Sequence, residues 1–383
     1  MNLLIGAREL SLDLIHTLES SGVVLFNGDQ LGRLSPTISD QDRVYLSTER
    51  YLPEVMSRLQ SEDRKRQIEL LKDKYLFRNL IQSHFTDFEF ALGSQWDAFL
   101  SKSKASEFIV KPRKGFFGVG VTKVTRDELR SSGESILKSL VSQVRATVGG
   151  ALASSFALDK ADVPQDSDEK SSLFDHFIIE ECIPGSEFSV DMYYDSQGAP
   201  VILNICAHPE HEMKEFSNAL YYSSYSVFTE GYARVNPLFE EFNQSFRARS
   251  FPIHAEFKMS LDGQLIPVEF NPLRFGGFGL SDLPYYAFGF NPIEYFFYDS
   301  RPDWKRIWRD RPTQCYGWVL KYNPIHFSPH YYPDHKNFKK IFSKVLNYRE
   351  IDFKTHPVSG VAYIEEFSKD DLFKVLKIDF NSF

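Results

Sequence analysis

Cysteine is scarce in this chain of 383 residues, with three in all. Cys182, Cys206 and Cys315 have neither paired metal-ligand spacing nor the density of a disulfide-stapled secreted domain, so a reducing, cytoplasmic setting fits best. Apolar runs of the roughly 18 residues needed to span a bilayer are absent, and the opening "MNLLIGARELSLDLIHTLES" carries acids and polar residues within its first turns. The expectation is a soluble, unexported chain. Positive charge is also in deficit, 44 Lys and Arg against 52 Asp and Glu for a net charge of -8. No basic run interleaved with aromatics reverses this locally, which argues against a nucleic-acid partner. Missing too are repeats, low-complexity tracts, a GxxxxGK[ST] phosphate loop and a three-glycine dinucleotide fingerprint; "GARELS" after the first apolar run has one glycine only.

What the chain does have is apolar bulk, 42% hydrophobic residues with 35 Phe and 19 Tyr, enough for two or three cores. "NLLIG", "ELSLDLIHTLESSG" and "VVLF" read as strand, amphipathic helix and strand, with Leu10, Leu14, Ile15 and Leu18 at helical spacing. From Ser61 a strongly helical stretch places Ile68, Leu71, Tyr75 and Leu80 on one stripe. "FIVKP" and "VGVTKV" then read as strands, and the polar segment 148–176 as an excursion from the core. "FIIEECI", "EFSVDMYYD" and "PVILNICAH" read as neighbouring strands, and "IHAEFKMS" and "QLIPVEFN" as a hairpin about "LDG".

In "PVEFNPLRFGG", strand alternation puts Glu269 and Asn271 on one face, and the hairpin brings Glu256 beside Glu269. Two carboxylates and an amide make a hard-oxygen set suited to Mg²⁺ rather than zinc, although acids at strand ends are commonly just solvated. In "VKPRKGFFGVGV", Gly115, Gly118 and Gly120 allow backbone N–H groups close to an anion, with Lys111, Arg113 and Lys114 beside them; the same glycines also suit an ordinary tight turn. In "IIEECIPGSEFSVD", Glu180 can accept from an adenine amino group, backbone near Cys182 and Ile183 can pair with the ring edge, and Glu187 can accept from ribose hydroxyls; a plain acidic turn is the alternative. "HPEHE" offers His208, His211 and Glu212 as a weaker metal candidate. For Tyr221, Tyr222 and Tyr225, packing is favoured over substrate contact.

Taken in order, Lys74 in "LKDKYLFRNL", Lys111 with its glycine loop, "EECIPGSEFSVD", Glu256 and "VEFNPLRFGG" resemble the ATP-grasp superfamily over roughly residues 60 to 280. The resemblance implies an α/β (α+β) chain. Its parts would be a shortened N-terminal lobe (1–60), a two-lobed ATP-grasp module (61–300, flap lobe about 105–183) and an aromatic-rich C-terminal extension (301–383) with room for a homodimer surface. It implies that Lys74 and Lys111 hold the α- and β-phosphates of ATP under a flap at 115–120, and that Glu180, Ile183 and Glu187 hold adenosine. Glu256, Glu269 and Asn271 would bind Mg²⁺, or Mn²⁺ in its place, and Arg274, with Lys111, would serve catalysis. Many family members read Asn-x-Arg, whereas Asn271-Pro272-Leu273-Arg274 is one residue longer. The implied activity joins a small carboxylate to an amine or similar nucleophile. A small-molecule kinase or a non-catalytic nucleotide-binding protein are the alternatives, the latter disfavoured by the complete set of Glu256, Glu269, Asn271 and both lysines.

Overall fold

The computed structural model describes residues 1–26, 37–82, 88–114, 120–147, 173–209, 219–260, 263–323, 331–354, 356 and 358–383. The chain divides into two compact units, Ile68–Pro184 and a second made of Met1–Gln67 with Gly185–Phe383. Mixed α/β structure runs through both, and no helix among the described residues is long and apolar enough to cross a membrane.

The opening strand, helix and strand form as read. β1 (Asn2–Ile5) and β2 (Val24–Phe26) pair in parallel across the helix Leu12–Glu19, whose Leu14 and Leu18 are fully buried. A third parallel strand, β3 (Arg43–Leu46), takes the other side of β1.

In the unit Ile68–Pro184, β4 (Phe90–Leu92), β5 (Glu107–Pro112), β6 (Thr122–Thr125) and β7 (Phe177–Glu181) form an antiparallel sheet in the order β4-β7-β5-β6. Its core packs Phe108, Val110 and Ile179 with Leu137, Val141 and Val144 of the helix Arg126–Thr147. The long helical stretch after Ser61 is broken at Asp73, whose carboxylate caps a new helix, Lys74–Ile81, by accepting from Tyr75 N and Leu76 N. That break changes the helical phase. Ile68 and Leu71 are buried as expected, but Tyr75 and Leu80 are only half-buried, and Phe77 and Ile81 take the core with Lys74 and Arg78 on the same face. The excursion lies outside the described residues from 148 to 172.

The second unit holds an eight-stranded, wholly antiparallel sheet. It contains β8 (Ser186–Tyr194), β9 (Pro200–His208), β10 (Ala219–Ser224), β11 (Phe251–Met259), β12 (Leu265–Pro272), β13 (Cys315–Tyr322), β14 (Lys344–Glu350) and β15 (Val358–Glu366). The order is β12-β11-β8-β9-β10-β13-β15-β14, so residues 301–383 supply three of its strands. β8 and β9 are neighbours joined by the expected Asp195–Gly198 turn, but β7 is not beside them. The link between β7 and β8 runs through Pro184, which has no N–H to donate, and Gly185, which takes φ +112 where an added Cβ would lie 1.8 Å from the Met259 carbonyl oxygen.

The sheet's two faces differ in kind. The helix Tyr225–Phe246, capped by Ser224, covers one face with Phe239 and Phe242 against Phe257 and Phe270. Gly231 of this helix lies against Ile205, too close for any Cβ. The opposite face of β12, β11, β8 and β9 carries Asn271, His254, Asp191 and Asn204 in one row, and Glu269, Glu256, Ser189 and Cys206 in the next.

Candidate functional site

Within the unit Ile68–Pro184, four expected or neighbouring charged residues cluster in the interior. Lys111 on β5 and Glu180 on β7 share a face of the sheet, and Lys74 and Arg78 arrive one helical turn apart. All four are buried. Glu180 accepts from Arg78 Nε at 2.8 Å through Oε2 and from the Lys111 ammonium through Oε1. Burial alone would raise the Glu180 pKa, but Arg78 and Lys111 outweigh it and bring it down to about 2. Burial dominates for Lys111, which is lowered despite Glu180. Arg78 was not legible as a site residue in the sequence, because its role follows from the helical phase set by Asp73.

Arg113, expected beside the glycine loop, is committed elsewhere: its guanidinium forks onto Asp73 (3.0 and 2.6 Å) and also donates to the Asp175 carbonyl. Gly120 has φ +72, in keeping with a turn, while Gly115 and Gly118 lie outside the described residues. Ile183 is half-buried.

In the second unit the hairpin forms in the expected register, with Glu256 directly opposite Glu269 and His254 opposite Asn271. Asn271 is 1% exposed and its Oδ1 has no hydrogen-bond partner among the described residues. A buried amide oxygen without a partner costs about 1–3 kcal/mol, so its presence beside two carboxylates fits a cation ligand. No cluster of three or more His, Cys, Asp or Glu side chains suited to a metal occurs among the described residues. Two carboxylates and an amide are hard-oxygen donors of the kind that suits an ion completing its coordination with phosphate oxygens and water.

Arg274 lies on the same side. In a regular strand the residue three after Asn271 would point to the opposite face, but Leu273 adopts φ +62, in the left-handed region. That turn is pinned by bonds from Leu273 N to the Pro252 carbonyl and from Leu46 N to the Leu273 carbonyl. Arg274 binds Glu49 (Nε at 2.9 Å, Nη2 at 2.8 Å); burial disfavours its charge, but Glu49, then Glu256 and Glu269, more than restore it.

Asp191 and His254, which the sequence did not single out, also lie on this face. His254 Nδ1 lies 2.7 Å from Asp191 Oδ1, and its Nε2 lies 3.5 Å from Glu256 Oε1. Burial would lower the imidazole's pKa, yet Asp191 and then Glu256 raise it to about 9. Glu187 accepts from the Tyr221 hydroxyl at 2.6 Å and lies 3.6 Å from Lys258. Tyr221 thus joins the polar face, with the His208 ring tilted against it at 4.8 Å, while Tyr222 is buried and Tyr225 exposed. His208 ends β9 and its Nδ1 meets the Leu220 carbonyl; His211 and Glu212 lie outside the described residues.

Residues 153–282 match the family model described as "ATP-grasp domain". Over its whole length the chain is similar in structure to L-amino acid ligase from Bacillus licheniformis, with a TM-score of 0.64 at 15% identity, covering 98% of this chain and 96% of that one. It is also similar to phosphoribosylglycinamide synthetase from Anaerococcus prevotii (TM-score 0.55, 12% identity, 99% and 97% covered). Biotin carboxylase from Campylobacter jejuni, solved as a βγ-ATP complex, is a third (TM-score 0.58, 12% identity, 99% and 90% covered). No curated protein sequence matches the chain. The chain carries an ATP-grasp domain and has the ATP-grasp fold.

Proposed function

We propose that this protein is an ATP-dependent ligase that joins a small carboxylate to an amine or similar nucleophile through an acyl phosphate. The observation that carries the reading is the Glu256–Glu269 cross-strand pair beside the buried Asn271 Oδ1, which has no partner among the described residues, with Arg274 returned to the same side by Leu273. Lys74 and Lys111 hold the α- and β-phosphates, Glu180 and Ile183 the adenine, and Glu187 the ribose. Arg78 and Lys111 hold Glu180 as a carboxylate, the form that accepts from an adenine amino group.

Glu256, Glu269 and Asn271 would hold Mg²⁺, which when bound would neutralise charge on the phosphates. Arg274 faces the γ-phosphoryl group and stabilises the charge that spreads over its oxygens in transfer. A carboxylate oxygen of the acid attacks the γ-phosphorus, ADP leaves, and an acyl phosphate forms. The nucleophile then adds to the carbonyl carbon, loses a proton, and expels phosphate carrying one oxygen from the acid.

The test is a library of small acids and amines screened for ADP release, followed by heavy-oxygen labelling of the acid that responds. One labelled atom in inorganic phosphate, and a hydroxamate when hydroxylamine replaces the amine, are the expected results. Phosphate retained on the organic product would make the protein a kinase instead.

A further inference from the structure

The assignment of Glu256 to a metal leaves unexplained the two buried groups behind it. Asp191 is 2% exposed and His254 5% exposed, on neighbouring strands and directly opposite one another. A single oxygen, Asp191 Oδ1, accepts from His254 Nδ1 at 2.7 Å and from the backbone N–H of Gly276 at 2.8 Å. The imidazole's other nitrogen lies 3.5 Å from Glu256 Oε1. One carboxylate oxygen is thereby connected to a proposed metal ligand on β11 and to the chain two residues past Arg274.

Strand pairing gives no reason for this arrangement. β8 and β11 pair without interruption from Tyr194 opposite Phe251 to Ser186 opposite Met259, so their register needs no buried ionisable pair. Taking two such groups out of water carries a desolvation cost that apolar residues at the same positions would avoid. Both ends of the connection, by contrast, are groups whose placement matters to chemistry on the polar face. Side chains that hold a ligand's carboxylate in one orientation commonly govern metal affinity without touching the metal.

We infer that Asp191 and His254 are positioning residues, which orient the Glu256 carboxylate for its cation and fix the backbone at Gly276 so that Arg274 keeps its place. The inference rests on the reading of Glu256 as a metal ligand. Neither residue touches substrate, and both act through the groups that do.

The test uses the full-length chain, ADP and Mn²⁺, with free Mn²⁺ followed by electron paramagnetic resonance and metal-free stability by urea unfolding. His254→Ala and the milder His254→Gln should weaken Mn²⁺ binding in the ADP complex by about 10- to 100-fold. Asp191→Asn, which keeps an oxygen where Oδ1 stands, should recover most of that affinity, whereas Asp191→Ala should not. If the folded His254 variants bind Mn²⁺ within about twofold of wild type and only the urea midpoint falls, the pair merely holds β8 to β11 and the inference is overturned. If the wild-type chain itself binds no Mn²⁺ with ADP, the metal assignment fails first and the positioning role falls with it.

Discussion

The two faces of the eight-stranded sheet use the same strands for opposite ends. On the helix-covered face, Phe257 and Phe270 meet Phe239 at 5.8 and 5.5 Å, and every contact serves burial. On the other, a row of Asn271, His254, Asp191 and Asn204 buries amides and ionisable groups, and among the described residues the Oδ1 atoms of both asparagines lack partners. A strand must alternate, so residue 270 can be spent on stability while residue 271 faces the polar side, where the proposed function places a ligand. The lesson is that polar groups left without partners on one side are tolerable because the other side supplies the folding energy.

The comparison breaks most readily at Phe270. Phe270→Ala should cost about 3–5 kcal/mol in urea unfolding, because the cavity opens against Phe239, Phe242 and Phe257. A loss below 1 kcal/mol would deny that this face carries the fold. Glu269→Gln, one residue away, should leave the urea midpoint nearly unchanged and lower turnover about a hundredfold, roughly 3 kcal/mol in the barrier. Activity above a tenth of wild type would remove Glu269 from the metal set.

The cluster in the other unit gives a contrasting case, since Glu180 is bound by both Arg78 and Lys111. Its carboxyl sits near 2 in the folded chain against 4.5 for a free glutamate. A depressed acid contributes stability that is complete above 4.5 and lost as the pH falls towards 2, about 3 kcal/mol in all. Unfolding titrations across that window should show the slope in wild type and a flatter one in Glu180→Gln; identical slopes would mean that the pairing does not form. Mg-ATP at a hundredfold excess over its dissociation constant should add about 2.7 kcal/mol, read as a thermal upshift. The smallest effect belongs to Tyr221→Phe, which removes the bond to Glu187 and should cost about 1 kcal/mol. A neutral result there would place Tyr221 among simple packing residues.

Local pattern carried much of this architecture. The parallel β1 and β2 follow from two short apolar runs about a helix, and the facing of Glu256 and Glu269 from alternation plus a hairpin turn. What escaped depends on distant partners. Asp191 and His254 are 63 positions apart, so nothing in either neighbourhood marks them as a pair. Arg113 looked available because its partner Asp73 lies 40 positions earlier, in a helix cap whose effect on phase a smooth apolar stripe conceals. β7 read as a neighbour of β8 because a strand's sequence says what it is and not which sheet it joins.

Leu273 bears on how such motifs are recognised at all. A backbone flipped into the left-handed region at a fully buried leucine costs about 1–2 kcal/mol, and it is kept. Its effect is to cancel a counting error: one additional residue would invert the parity of everything after it, and a single dihedral inverts it back. On the proposed role of Arg274, what this part of the chain keeps is a side of the sheet and not a number of residues. A pattern search written with fixed spacing would discard the chain at Arg274, while one written in terms of sidedness would accept it.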